Sequence, residues 1–318
     1  MTVKSFGNTS SSFRYRFGGT GNRASNPPSG PFSATGGNVS ALAPGNGYKY
    51  HTFTSSGPGT FTVTSGTQNI EILCIGGGGG GGLCHGGGGG AGGVVYHPSV
   101  PIVPGTYTIT VGNGGGPLSP PTNVPSVPYS GTPSTFAPGT PRALTALGGG
   151  GGGRSCGSQN GAPGGSGGGK SSNNTQGSAT QPSQPQFAGA TNYGFQGGSA
   201  STPGIQGTGG GGAGGEGGTG FPGSGGAGQQ FPQFTGSLIG VPTLSPLNGF
   251  FAGGGGYQHP SGATSGGSGG GGDGHNGSPG PQCNGVTNSG GGGGGGLETG
   301  STVSGSGGPG IVIIRYLA

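Results

Sequence analysis

Glycine runs are what this chain has to fold around. They occupy 76–82, 86–90, 148–153, 209–212, 253–256, 269–272 and 290–296. Fixing one residue's backbone costs about 1–2 kcal/mol, and glycine lies at the upper end because it loses the most freedom. A run of glycines has no side chain to bury in return. Its one large resource is the peptide group, with one donor and one acceptor per residue. A polyproline-II-like helix has three residues per turn and no internal hydrogen bonds, so all of those groups point outward. If every residue is glycine, neighbouring helices can approach from all sides and exchange the bonds. A six-residue run would then span roughly 19 Å.

Composition narrows the classes. Of 318 residues, 96 are Gly and 28 are Pro, while 25% are hydrophobic and 4% charged. An ordinary domain has roughly 45–50% apolar and about 25% charged residues, so no conventional core can extend through this chain. Collagen needs Gly at every third position, and the block-like runs exclude it. A disordered low-complexity chain is the plain alternative. Such chains lack bracketing apolar strands, and this one has them.

Those strands cluster at 48–147 and 311–317. Residues 48–54 and 60–64 alternate polar and apolar around Gly57-Pro58-Gly59, a hairpin-like signal. Residues 69–75 read NIEILCI, placing Ile70, Ile72 and Cys74 on one face and Glu71, Leu73 and Ile75 on the other. Further strands are expected at 93–97, 107–111 and 142–147, and the best β-strand is the terminal IVIIRY at 311–316. No segment has an amphipathic helical period. The expected fold class is all-β and irregular: a small β-framework plus a polyglycine-II helix bundle, with almost no α-helix. The expected division is an extended basic arm at 1–48 and a glycine-rich domain at 49–318. Within that domain, 49–147 and 311–317 form the framework and 76–310 holds the bundle. The strands 69–75 and 311–316 should share one framework.

Charge is uneven. Lys4, Arg14, Arg16, Arg23 and Lys49 all precede the first acid, Glu71, and the remaining charges balance, so the net charge of +5 sits in the first 49 residues. A basic arm on a neutral body suggests docking to an acidic protein or nucleic acid, and five scattered charges are few for nucleic acid. Phe13, Arg14, Tyr15, Arg16 and Phe17 alternate aromatic and cationic residues, which reads as a protein-docking strand or as a frayed terminus. Arg14, Tyr15, Arg16, Phe17 and Arg23 form the candidate partner-docking arm. No signal-peptide-like stretch opens the sequence and no run of 18 apolar residues occurs, so synthesis in a cytoplasm without membrane insertion is expected.

The order HTFTSSGPGTFTV, IEILCIGGGGGGG, GGVVY, VPGTYTITVGNGGG, STF, LTALGGGGGG and GGPGIVIIRY resembles the glycine-rich domain of phage and other viral structural proteins, notably tail-fibre tips and adhesins. The resemblance covers roughly 50–317. It implies a β-framework with polyglycine-II packing and a role in host recognition at the virion surface.

Chemistry-bearing motifs are sparse. Residues 164–171 read GGSGGGKS, a formal match to the phosphate loop, but that mechanism needs a preceding buried strand and a following helix, and neither flank qualifies. The four carboxylates are far apart in sequence, and no nucleophile elbow occurs. Cys74, Cys84, Cys156 and Cys283 fit no zinc spacing. Cys84 and His85 invite a metal reading with His275 and Cys283. Packed or loop residues are the simpler reading, and a disulfide among Cys84, Cys156 and Cys283 is a third. No enzyme activity, cofactor or metal is expected.

If the strand 69–75 marks a base, run 76–82 leads away from it and Leu83-Cys84-His85 turns at the far end. Run 148–153 leads away again. Strict alternation then makes 164–169 return, 209–218 leave and 253–256 return. That places Phe234, Phe250 and Phe251 at the far end, followed by Asp273, His275 and Cys283, with 170–208 toward the base. The receptor-binding candidates are accordingly Leu83, His85, Phe234, Phe250, Phe251 and His275. The expected function is a virion structural protein, a fibre-tip adhesin for a host surface protein or glycan, held to other virion proteins by its arm. The alternative is a capsid or tail decoration protein, or an extracellular filament subunit, with a purely structural role.

Overall fold

Strands that are apolar on both faces must be covered on both faces, and that requirement organises the frame. The computed structural model describes residues 30–119, 129–172, 174–184, 188–199, 207–220, 223–259, 262–277, 280–297 and 303–318. Its strands are β1 (Ser33–Gly36), β2 (Val39–Leu42), β3 (Tyr48–Phe53), β4 (Gly57–Ser65), β5 (Gln68–Ile75), β6 (Val94–Ile102), β7 (Gly105–Val111), β8 (Ser134–Phe136), β9 (Leu144–Ala146), β10 (Thr191–Tyr193), β11 (Gln229–Gln230), β12 (Phe250–Phe251), β13 (Gln258–His259), β14 (Gly262–Ala263) and β15 (Ile311–Leu317). The helical content of the described residues is three short 3-10 segments, Pro232–Phe234, Pro242–Leu247 and Pro281–Cys283, each opened by a proline.

Two main sheets form a sandwich, one in the order β1-β4-β7-β8-β9 and the other β10-β6-β5-β15-β3-β2. Ile70, Ile72, Cys74, Val312 and Ile314 of the larger sheet meet Phe61, Val63, Ile109, Phe136 and Leu144 of the smaller one in the inner core. The alternate residues Leu73, Ile75, Ile311 and Ile313 point the other way, into a second core roofed by Phe231, Phe234, Ile239, Leu244 and Phe251 from the excursion 229–252. Burying such side chains stabilises by about 1.5–3 kcal/mol each. The expected pairing of 69–75 with the terminal strand is direct: β15 lies antiparallel between β5 and β3, with Ile311 opposite Ile75. On that outer face Arg315 stands opposite Glu71 and the two form an ion pair at 2.7 Å. The guanidinium also stacks 4.3 Å from the Tyr48 ring.

Two expectations need correction. Strands β3 and β4 are not a hairpin, because they lie in different sheets. Both are apolar on alternate residues, and crossing between sheets lets Phe53 and Phe61 enter the same inner core. The frame also does not begin after residue 48. Strand β1 pairs with β4 and β2 with β3, so a stretch with few large apolar side chains is held by main-chain bonds instead. Arg14, Tyr15, Arg16, Phe17 and Arg23 lie outside the described residues.

Where Ile75 gives way to Gly76, the hydrogen-bond pattern changes. Gly76, Gly79 and Gly82 donate to the carbonyls of Gly93, Gly90 and Gly87. Gly77 and Gly80 donate to Thr132 and Tyr129, and Gly78 and Gly81 to Gly308 and Gly305. The partner thus changes with a period of three, whereas a strand would give a period of two. A β-carbon on the same residues would meet three further segments. It would overlap the carbonyl oxygens of Leu147, Gly150 and Gly153 from Gly76, Gly79 and Gly82; of Asn113 and Gly116 from Gly77 and Gly80; and of Gly291 and Gly294 from Gly78 and Gly81. Three segments on the donor side and three on the other give six around 76–82 among the described residues. Segment 86–93 is enclosed in the same way. The glycine segments therefore form a laterally hydrogen-bonded array that continues from the ends of β5, β6, β7, β9 and β15.

Candidate functional site

The array has two ends, a base on the sandwich and a far end, and register along the segments fixes which residues reach each. Segment 76–82 runs outward and 86–93 back, so Leu83, Cys84 and His85 turn at the far end as expected. Segment 147–153 also runs outward, because Gly149 and Gly152 donate to Gly77 and Gly80 in parallel.

Strict alternation then fails. Gly150 and Gly153 donate to Ser166 and Gly169, so 165–169 runs outward too. The return is made earlier, by 161–164, where Ala162 bonds Gly151 and Gly165 bonds Gly148. With that extra pass the directions expected for 209–218 and 253–256 reverse. Gly88 and Ala91 donate to Thr208 and Gly211, so 208–211 runs back to the base, and 253–258 runs outward beside Gly89 and Gly86. Phe234, Phe250 and Phe251 are consequently at the base. Phe234 is 0% exposed and Phe251 1%, both under the larger sheet, and Phe250 is half-buried in β12 beside Gln230. The physical reason is that 229–252 is the apolar-rich excursion, and the outer face of the larger sheet is the apolar surface that needs covering.

The far end gathers the remaining candidates. Leu83 is 4% exposed and plugs the end of the array with Leu118, Cys84 and the partly buried Tyr129 and Cys156; it is an internal plug, not a surface contact. His85 is half-exposed, and its Nδ1 lies 3.2 Å from Gln258 Oε1. His275 is 7% exposed; its Nδ1 donates to the Gly277 carbonyl at 2.8 Å. His275 Nε2 and Gln258 Nε2 are buried without a hydrogen-bond partner among the described residues. Tyr257 stands edge-on to His259 at 5.9 Å, and burial pushes its phenol up. Cys283 is level with Gly294 in the far half, since Gly294 donates to its carbonyl, and Gly294 is level with Gly81.

Cys84 and Cys156 are joined by a disulfide, with Cα atoms 5.7 Å apart. Cys84 and His85 both have left-handed backbones, with φ of 57° and 58°. For non-glycine residues that conformation costs on the order of 1–3 kcal/mol each and persists only where surroundings enforce it. Here the disulfide, the Ser155 N–H donated to the Cys84 carbonyl at 3.2 Å and the His85–Gln258 contact do so. Cys156 joins Cys84 at the far end, as the count outward along 148–153 implies; Gln258 and His259 carried no sequence signal of a shared surface, and only the register of the segments brings them there. The phosphate-loop lookalike resolves into an outward glycine segment followed by Lys170, whose N–H donates to Thr208 Oγ1 at 2.9 Å. Among the described residues, no three His, Cys, Asp or Glu side chains are grouped to hold a metal ion, and no helix is long and apolar enough to cross a membrane.

The far face thus carries the half-exposed imidazoles of His85 and His259, with Tyr257 at 1% and Gln258 at 0% exposure buried beneath them. A family model described as a glycine-rich domain matches residues 53–317. No curated protein matches the chain.

Proposed function

The chain belongs to the glycine-rich domain family, and from that premise we propose that it is a virion structural protein acting as a fibre-tip adhesin, attaching to a host-surface protein or glycan through its far face. The observation that carries this reading is the division of labour along the array. One end is a closed β-sandwich, and the other collects chemically varied turns, among them 83–85, 154–160, 257–259 and 275–277. Rigid scaffolds that display variable turns at one end are a common solution for recognition. The base also suits anchoring. Gly30 sits beside Ser65, and Leu317 accepts a hydrogen bond from Gln68, both at the end of the sandwich away from the array. Gly30 thus lies opposite the far face; Arg14, Tyr15, Arg16, Phe17 and Arg23, which we assign to docking on another virion protein, lie outside the described residues.

In this reading the glycine segments are polyglycine-II helices, for which the three-residue hydrogen-bond period is the support. His85 and His259, both half-exposed, are the first contacts for a ligand. His275 and Leu83 hold the surface from beneath. The test is immunogold labelling of purified particles with an antibody raised to the far face, together with an adsorption assay. Label at fibre ends, with adsorption blocked by the antibody, is expected. Label spread on a lattice or along a filament, with adsorption intact, would establish the decoration or filament role instead.

A further inference from the structure

The two turns that carry the far-end cysteines are joined covalently, whereas the glycine segments beneath them are held by main-chain hydrogen bonds that do not involve the cysteines. Cys84 lies in the turn between 76–82 and 86–93, and Cys156 in the turn after 147–153. Cys84 is 7% exposed, but Cys156 is half-buried and followed by exposed Gly157 and Ser158. Cys156 is therefore the residue of the pair nearer solvent, and its sulfur is the one a small thiol would attack. The other cysteines cannot take part: Cys74 is in the sandwich core and Cys283 is buried. Burial pushes the Cys74 thiol up to about 12 and raises that of Cys283, which keeps both protonated.

The state of the bond matters to the surface. The left-handed Cys84 and His85 are positions that L side chains avoid unless held, and Ser158 in the partner turn shares that conformation at φ 50°. Releasing the sulfurs removes the strongest constraint on that geometry, and with it the placement of His85 against Gln258.

We propose that Cys84–Cys156 is a reversible thiol–disulfide site that latches the far face, closed by a disulfide oxidant and opened by a small thiol, while the glycine array and the sandwich stay folded. Opening proceeds by attack of a thiolate on Cys156 Sγ, which breaks the S–S bond and leaves Cys84 as a thiolate that takes up a proton. A second thiol then resolves the mixed disulfide, so two thiols supply two electrons and leave as their own disulfide. Closing reverses these steps with oxidised glutathione as acceptor. Persistence of the bond belongs to an oxidising environment.

Arg154, 4% exposed and two residues from Cys156, provides a readout that needs no receptor. The full chain is treated with trypsin before and after reduction by glutathione or dithiothreitol. Oxidised protein should resist cleavage after Arg154. Reduced protein should be cut there at least ten times faster, with its β-type circular dichroism retained and with Lys49 and Arg315 still protected. A C84S/C156S double variant should be cut with or without reductant, and C283S should behave as the parent. Protection of Arg154 after reduction would overturn the latch, because the hydrogen bonds of the turn would then suffice to hold it. Cleavage spreading to Lys49 and Arg315 would overturn it as well, by making the bond a staple for the whole fold. Neither outcome bears on the attachment reading, since no ligand is used.

Discussion

At the scale of single residues, the array is decided by the absence of β-carbons. A β-carbon on Gly150 would overlap the Ala162 carbonyl oxygen, whereas one on Gly116 would meet nothing within 4 Å. The two positions carry the same residue type in neighbouring segments, so they separate packing from glycine's general effect on the unfolded chain. Gly150→Ala is expected to destabilise by about 1–3 kcal/mol, as overpacking does, and Gly116→Ala to stay within about 0.5 kcal/mol of the parent. Urea unfolding of both variants measures the difference. Equal effects would mean that the close approach of the segments is wrong. Both sit in glycine-rich stretches, Gly116 directly before Pro117 and Gly150 inside a run, and the obstructing carbonyl at Gly150 comes from the tertiary array.

At the scale of elements, strand edges show how a chain with so few large side chains keeps its sheets discrete. Strand β9 closes one edge of the smaller sheet, and its open side is covered by glutamine amides. Thr145 N–H donates to Gln184 Oε1 at 3.0 Å and Leu147 N–H to Gln181 Oε1 at 2.8 Å. Both amide nitrogens donate to the Thr145 carbonyl. Two side chains thus stand in for a strand and blunt an edge that could pair with another molecule. Gln181→Ala with Gln184→Ala should cost on the order of 1–3 kcal/mol for each orphaned backbone group. It should also give concentration-dependent association in light scattering. A monomeric double variant of unchanged stability would remove this role.

The long strands were legible because their period is local: the two faces of β5 are the two cores it divides. Strands β1 and β2 were not, because Ser33–Gly36 and Val39–Leu42 offer little apolar alternation and are held by their partners' main chains. The far-face residues Leu83, His85, Cys84 and Cys156 followed from one count along the chain, outward from β5 and from β9. Phe234 and Phe251 did not, since one unrecognised return through 161–164 reversed the directions of 208–211 and 253–258 on either side of them.

At the scale of the whole molecule, His51 ties the two sheets. Its Nδ1 donates to the Gly36 carbonyl of β1 at 2.8 Å, leaving Nε2 to accept from the Tyr316 hydroxyl of β15 at 3.0 Å. Burial, with a smaller push from Lys49, lowers its pKa from 6.5 against an opposing hydrogen bond to Gly36. The folded protein therefore holds the ring neutral, and below pH 6.5 the unfolded chain binds more protons. The contribution is complete above the unfolded pKa of 6.5 and is lost as pH falls from there through the lower folded-state value. His97, also lowered by burial, acts in the same direction. Melting temperature should fall between about pH 7 and pH 5, and His51→Gln should flatten that slope even where it lowers stability throughout. An unchanged slope would assign the acid sensitivity elsewhere.

By itself the sequence determined that the chain would be all-β with almost no helix, that the NIEILCI and IVIIRY strands would share one framework, and that the glycine runs could be stabilised only through their peptide groups. Those conclusions follow from local properties: side-chain period, β-branching and the lack of a side chain to bury. Which carbonyl each glycine N–H meets, which way each segment runs, which aromatic residues cover the sheet and which two cysteines join were decided only by the tertiary structure. A glycine run carries no side-chain information to specify its partner. Its neighbours are chosen by the strands and turns at its two ends and by the space left when all the segments are packed together.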